Sequence, residues 1–334
     1  MSSAGAFAFA NVRARSRAAR LLGPEAAAHL RAAATPAARA AALHRLGIEG
    51  DAADLQRGRV ARLLDDYAVL ARSYPVGEPL LVAMARLHEI ENLKLLYRAA
   101  ANGLPAERWR ALFRPMGRLG TIQRADAEEV RSLRDLEAVT RATPYAEVVA
   151  AAVSGPALAP AEAELSFDRL GSRRLVEEAR RLPSSQAGAG ALVLGLVRER
   201  DLDAVRRAAA YSIAPELCAA TGALLAGEPG WGHLAEIAAW TPDAGPLGLL
   251  LPRRLLGGAP VADWDALERA LRRRRRRACA AAFIGSPLRL APGVAYLLLA
   301  EEELRGLVAL VEAAGAPAAG SVLERALAGS ALGD

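Results

Sequence analysis

The sequence predicts an all-α chain made of three related helical units. Three observations carry this reading. Almost every segment is rich in the helix formers Ala, Leu, Arg and Glu, β-branched residues are sparse, and two separate markers recur in the same order along the chain. Glycine and proline punctuate it at Gly23-Pro24, Gly47, Gly103, Pro183, Gly227 to Gly232, Gly257-Gly258 and Gly285 to Pro287. The segments between read as helices of about 10 to 25 residues with apolar stripes at helical spacing. From Asp54 to Ser73, for instance, Leu55, Val60, Leu63, Leu64, Tyr67 and Leu70 share one face.

The first marker is the dipeptide Thr-Pro, at Thr35-Pro36, Thr143-Pro144 and Thr241-Pro242. With six threonines and 19 prolines in the chain, chance predicts about 0.3 such pairs. Threonine as N-cap with proline at the first helical position is a sound helix start. The second marker is an apolar segment, a charged break and a further amphipathic helix. It occurs in LLVAMARLHEIENLKLLYRAA from Leu80, LVLGLVRERDLDAVRRAAA from Leu192 and VAYLLLAEEELRGLVALVEAA from Val294. Aligning Glu89 with Asp201 and Glu303 puts Ile90, Leu202 and Leu304 in register, and likewise Leu93, Val205 and Leu307. Both markers have nearly the same period, which divides the chain into helical units 1–116, 117–228 and 229–334.

Composition narrows the function. The chain has 43 basic and 37 acidic residues, and six of the arginines form one run, Arg272 to Arg277. Outside that run the charges balance, and aromatic content is only 4%, so the basic groove with stacking aromatics that nucleic acid needs is missing. Lys94 is the only lysine, a bias that makes arginine a weak functional signal by itself. Cys218 and Cys279 lie far apart and form no C-x-x-C pair; they read as small buried hydrophobes. The opening MSSAGAFAFANVRARSR lacks the layout of a secretory signal. The longest apolar runs, Ala187 to Val197 and Leu290 to Ala300, fall short of the roughly 20 residues of a membrane span. A soluble chain is expected, able to sit on a membrane complex.

Catalytic parts are also missing. The lysine is followed by leucine, so there is no phosphate-binding loop, and His29, His44, His88 and His233 stand apart with no H-E-x-x-H. His88 beside Glu89 reads as structural rather than as a general base. FIGSP and AVSGP are not a nucleophile elbow. No metal, cofactor or small-molecule substrate is expected.

The opening FAFANVRARSRAARLLG, the charged break RLHEIENLKLLYRAAANGLP, the second break VRERDLDAVRRAAAY, and the C-terminal LERALRRRRRRACAAAF with GVAYLLLAEEELRGLVALV together resemble the C-type subunit of the bacterial and archaeal V/A-type ATPases. The eukaryotic counterpart is the d-type subunit of the vacuolar ATPase. The resemblance covers essentially the whole chain and rests on the order and spacing of loose motifs. It implies a funnel of three similar helical units with pseudo-three-fold symmetry. It also implies a non-catalytic socket between the central stalk, with its coiled-coil D-type and F-type subunits, and the membrane proteolipid ring. Such a socket couples ATP turnover to proton or sodium transport from the cytoplasmic face of the membrane, without a span of its own. Phe7 and Phe9 stand where relatives often carry tyrosine, and the arginine run is a larger departure. A different reading of the same repeats is an all-α scaffold that binds soluble proteins along a concave surface.

Candidate docking residues are Arg272, Arg273, Arg274, Arg275, Arg276 and Arg277, with Glu89, Asp201 and Glu303. Trp264, Leu267, Leu271, Ala278 and Ala282 form a helical stripe whose gap must be bridged by Arg274 or Arg275. Six residues span more than one and a half turns, so most of the run is solvated. At least one arginine lies over the stripe with its stem packed and its head snorkelling to water. The run is thus a solvated helix surface or a patch that meets acidic residues of stalk or ring, or anionic lipid. In the docking version, changing all six to glutamate weakens assembly without unfolding the chain. The three aligned carboxylates are either helix-starting or ion-paired residues, or three like charges around a funnel axis that grip a basic stalk.

Overall fold

The stripe from Leu55 to Leu70 is built as read. A computed structural model describes residues 3–21, 29, 33, 35–45, 47, 52–211, 213, 234–252, 261–286 and 288–314. Among these residues every regular element is helical, with thirteen α-helices and no strand. They are α1 (Ser3–Ala18), α2 (Pro36–Arg45), α3 (Ala52–Ser73), α4 (Glu78–Ala101), α5 (Ala106–Trp109), α6 (Arg124–Glu128), α7 (Leu133–Thr140), α8 (Ala146–Val153), α9 (Pro160–Arg181), α10 (Ala187–Ala210), α11 (Leu234–Ala238), α12 (Trp264–Ile284) and α13 (Ala291–Ala314). All six stripe residues of α3 are buried.

Long helices follow one another along the chain in similar lengths: 22 then 24 residues for α3 and α4, 22 then 24 for α9 and α10, and 21 then 24 for α12 and α13. Short 3₁₀ turns, Pro75–Gly77 and Ser184–Gln186, join the first two successions. The aligned apolar positions Ile90, Leu202 and Leu304, and Leu93, Val205 and Leu307, are all buried.

The Thr-Pro marker has three different local outcomes. Thr35 caps α2, its Oγ1 accepting from the Ala38 amide at 3.2 Å, with Pro36 as the first helical residue. Thr241-Pro242 opens only a 3₁₀ turn, Pro242–Ala244. Thr143 accepts from the Tyr145 amide at 3.2 Å in a turn, and α8 begins beyond it at Ala146. Gly47 and Gly103 follow helix ends with φ of 67° and 60°, the left-handed conformation that glycine supplies without strain. Of the other breaks, Gly23, Pro24, Gly227 to Gly232, Gly257, Gly258 and Pro287 lie outside the described residues.

The chain divides into two compact units, Met1–Pro75 with Arg272–Asp334, and Val76–Leu271. The boundary after Leu271 falls inside α12. This grouping follows packing, whereas the three units read from sequence follow internal likeness.

In the first unit α13 packs against α1, α2 and α3. Its apolar residues Val294, Ala295, Leu297 and Leu298 are buried. Gly293 lies against the Tyr74 ring, and Phe7 of α1 meets that ring edge-on at 5.4 Å. Buried Asp66 of α3 accepts from the Tyr296 hydroxyl and pairs with Arg17 at 3.4 Å. Polar contacts thus tie α1, α3 and α13 where they meet.

In the second unit α9 lies between α4 and α10, and α7 and α8 cover the same core. Leu93, Leu96, Tyr97, Trp109, Phe113 and Phe167 form its centre. The Tyr97 hydroxyl donates to the carbonyls of Ala152 and Leu158 at 3.1 and 2.8 Å, so a buried aromatic keeps its polar end satisfied. A smaller cluster, including Leu202, Val205, Ile237, Leu247, Leu267 and Leu271, seats α10, α11 and the start of α12.

Candidate docking surface and buried charge clusters

The arginine run occupies the middle of α12. Leu267, Leu271, Arg275 and Cys279 are buried at four-residue steps, so an arginine holds the place of an apolar side chain. The buried line differs from the expected stripe: Ala278 is exposed, Ala282 is half-buried, and Cys279 takes the inward position. The bridging arginine is Arg275, and its head does not snorkel to water. Its Nη2 donates to Glu302 Oε2 of α13 at 3.0 Å, and both side chains are buried. Arg276 adds two bonds to Glu302 Oε1, at 2.8 and 2.6 Å. One buried carboxylate therefore holds two guanidiniums and pins α12 to α13. Arg272 and Arg273 are half-buried, and Arg274 and Arg277 are exposed. Changing all six arginines to glutamate would put a carboxylate at position 275 beside Glu302, so that variant tests folding before it tests docking.

The three aligned carboxylates are buried in mid-helix: Glu89 in α4, Asp201 in α10 and Glu303 in α13. None starts a helix, which corrects the macrodipole account. Counted from helix starts, Glu89 corresponds to Arg198 and Glu302, three residues and one residue from the sequence alignment. Glu89 closes a polar pocket in the second unit. Its Oε1 accepts from the Thr121 and Ile122 amides, the latter at 2.7 Å, and its Oε2 accepts from the Tyr145 hydroxyl at 2.6 Å. Burial, then the facing carboxylate, pushes the Tyr145 hydroxyl well above its ordinary pKa. The 117–122 loop and the start of α8 are thereby fastened to α4. Glu303 lies 3.8 Å from Arg59 within the first unit. Glu302, one position before Glu303 on the same helix, meets the arginine run.

His88 is buried, with Nδ1 3.0 Å from the Arg114 guanidinium, while Asn92 exchanges bonds with the Arg114 backbone at 2.7 and 2.8 Å. These contacts anchor the segment after α5. His233 and Cys218 lie outside the described residues.

Sequence reading does not single out a buried charge cluster around Asp168. Asp168 of α9 accepts from Lys94 Nζ at 2.7 Å, Arg200 at 2.8 Å and Arg207 at 2.6 Å. Lys94 also reaches Glu91 at 2.8 Å. Burial pushes the Asp168 carboxyl up, but Arg200, Lys94 and Arg207 together hold it below the usual aspartate range. The cluster ties α4, α9 and α10. One sequence signal points to it: the chain's only lysine is a member of the site.

Among the described residues no cluster of three or more His, Cys, Asp or Glu could hold a metal, and no helix is long and apolar enough to cross a membrane. Residues 10–189, more than half of the chain, match the family model described as ATP synthase (C/AC39) subunit. The chain belongs to that family. It is the family of the C-type subunit of V/A-type ATPases, with the d-type subunit as its eukaryotic counterpart. The C/AC39 match begins in α1 and ends as α10 begins, so Glu89, Lys94 and Asp168 lie inside it. Asp201, the arginine run and Glu303 lie beyond it. A comparison with curated proteins gives no match.

Proposed function

We propose that this C/AC39 chain is a non-catalytic rotor subunit. It acts as a socket that joins the central stalk, through D-type and F-type subunits, to the membrane proteolipid ring, and passes torque between them during ATP-coupled proton or sodium transport. It works peripherally, at the cytoplasmic face of the membrane. The observation that carries the reading is the family match over residues 10–189. The three successions of long helices, near-equal in length, support three like units, and three like units set about one axis would make a ring-shaped seat from one chain. Buried charge clusters at the Lys94–Asp168 and Arg275–Glu302 contacts suit a part that transmits force, because they fix helices against sliding.

Depletion and add-back test the reading. A complex lacking this chain is expected to hydrolyse ATP at its catalytic head while ATP-driven ion transport stops, and the purified chain restores transport. Full coupling in the depleted complex, or stable assembly of the chain with soluble partners alone, overturns the proposal in favour of a scaffold.

A further inference from the structure

The face of α1 turned away from α3 and α13 is unusual for a chain with so few aromatics. Ala10, Asn11 and Ala14 are buried, whereas Ala8, Phe9, Val12, Arg15, Ser16, Ala19 and Arg20 are exposed along one continuous stripe. Phe9 is 55% and Val12 67% exposed. No acidic residue occurs before Glu25, while Arg13, Arg15, Arg17 and Arg20 fall within this stretch. Arg17 pairs with Asp66. Among the described residues Arg13, Arg15 and Arg20 form no ion pair, and Arg13 Nε is buried without a hydrogen-bond partner. A shallow groove of about 290 Å³ runs along this face, lined by Phe9, Val12, Arg13, Ser16, Arg17 and Arg20.

We propose that this face of α1 is a membrane-interface element that rests on anionic phospholipid. Along the stripe Phe9 and Val12 come before Arg15 and Arg20, so apolar side chains and guanidiniums lie side by side on one surface, a pairing that acyl chains and phosphates together satisfy. Arginine stems cover apolar surface while their heads reach phosphate. The face is only one helix wide and shallowly grooved, so a fluid surface conforms to it without a partner of matching shape. A helix of 16 residues lies in the interface and does not span it. The inference rests on this helix and on membership of a membrane-complex family, not on the stalk-to-ring reading.

Co-sedimentation of the full chain with vesicles tests it. The chain binds phosphatidylglycerol vesicles, binds phosphatidylcholine vesicles weakly, and loses affinity as salt rises. The double variant Phe9→Glu/Val12→Glu loses at least about tenfold in affinity with unchanged helicity by circular dichroism, because both side chains are more than half exposed. Arg13→Gln/Arg20→Gln lowers binding to phosphatidylglycerol and not to phosphatidylcholine. Arg273→Glu/Arg277→Glu, on the other basic segment, lowers binding less than the Phe9/Val12 variant does, through net charge alone. No binding to phosphatidylglycerol at low salt, or equal binding by the Phe9/Val12 variant, overturns the proposal. Capture of polyglutamate that is lost in that variant, without vesicle binding, assigns the face to an acidic protein and also overturns it. Each of these outcomes leaves the depletion test of the rotor reading unaffected.

Discussion

Asp168 holds three cations, and removing its charge takes the carboxylate from Arg200 and leaves Lys94 and Arg207 only the more exposed Glu91 and Asp203. Asp168→Asn is expected to lower stability by about 3–5 kcal/mol, the cost of leaving buried charges without their partner. Chemical denaturation at neutral pH reads this directly. The pH dependence has a definite sign. The folded carboxyl titrates below its ordinary value, so its contribution is complete above about pH 4 and is lost as pH falls through the depressed folded value. The gap between wild type and Asp168→Asn should therefore stay level from pH 7 to about 4 and close below that. Lys94→Arg tests why this chain keeps one lysine. Its ammonium bridges Asp168 and Glu91 in a place already flanked by two guanidiniums. A third, bulkier and planar, is expected to cost about 1–3 kcal/mol despite its equal charge. Lys94 stands out in the sequence as the exception to an arginine bias. Asp168, Arg200 and Arg207 do not, because nothing local says that three helices bring them to one point.

Elements are more legible than residues. The apolar period of α3 identifies both its existence and its buried face, since a helix of 22 residues buries the same stripe wherever it docks. The Thr-Pro starts are less uniform, because a cap sets a local turn and the following residues decide whether an α-helix continues. The α12 stripe departs from expectation at Ala278 for a related reason. A periodicity argument admits only apolar residues to the inward face, and here a paired arginine occupies it. Packing of α13 turns on Gly293. A β-carbon there would lie 2.6 Å from the Tyr74 ring, which is fully buried and braced by Phe7. Helix propensity favours alanine by at most about 1 kcal/mol, and overpacking a rigid ring costs about 1–3 kcal/mol. Gly293→Ala should thus lower the denaturation midpoint. Gly58→Ala, in α3 with open space around its β-carbon, should raise it.

At the scale of the whole chain, the basic surplus of six residues equals the arginine run, which makes that run look like the source of any attraction to acidic partners. The structure divides it between two tasks. Arg275 and Arg276 belong to the interior through Glu302, whereas Arg273 and Arg277 form no ion pair among the described residues. Charge reversal should split in the same way. Arg275→Glu sets two carboxylates together in a buried site, and a loss of about 3–5 kcal/mol is expected, visible as early unfolding in denaturant whether or not a partner is present. Arg273→Glu/Arg277→Glu should leave the isolated chain within about 0.5 kcal/mol of wild type. If the run docks on acidic residues of stalk or ring, this double variant assembles more weakly, and the deficit shrinks as salt screens both chains. Wild-type assembly by the double variant at low salt would leave Arg273 and Arg277 without a docking role, and Arg275 and Arg276 with their role in folding. The remaining candidate for attraction to an acidic surface would then be α1 and the turn after it, where Arg13, Arg15 and Arg20 form no ion pair among the described residues.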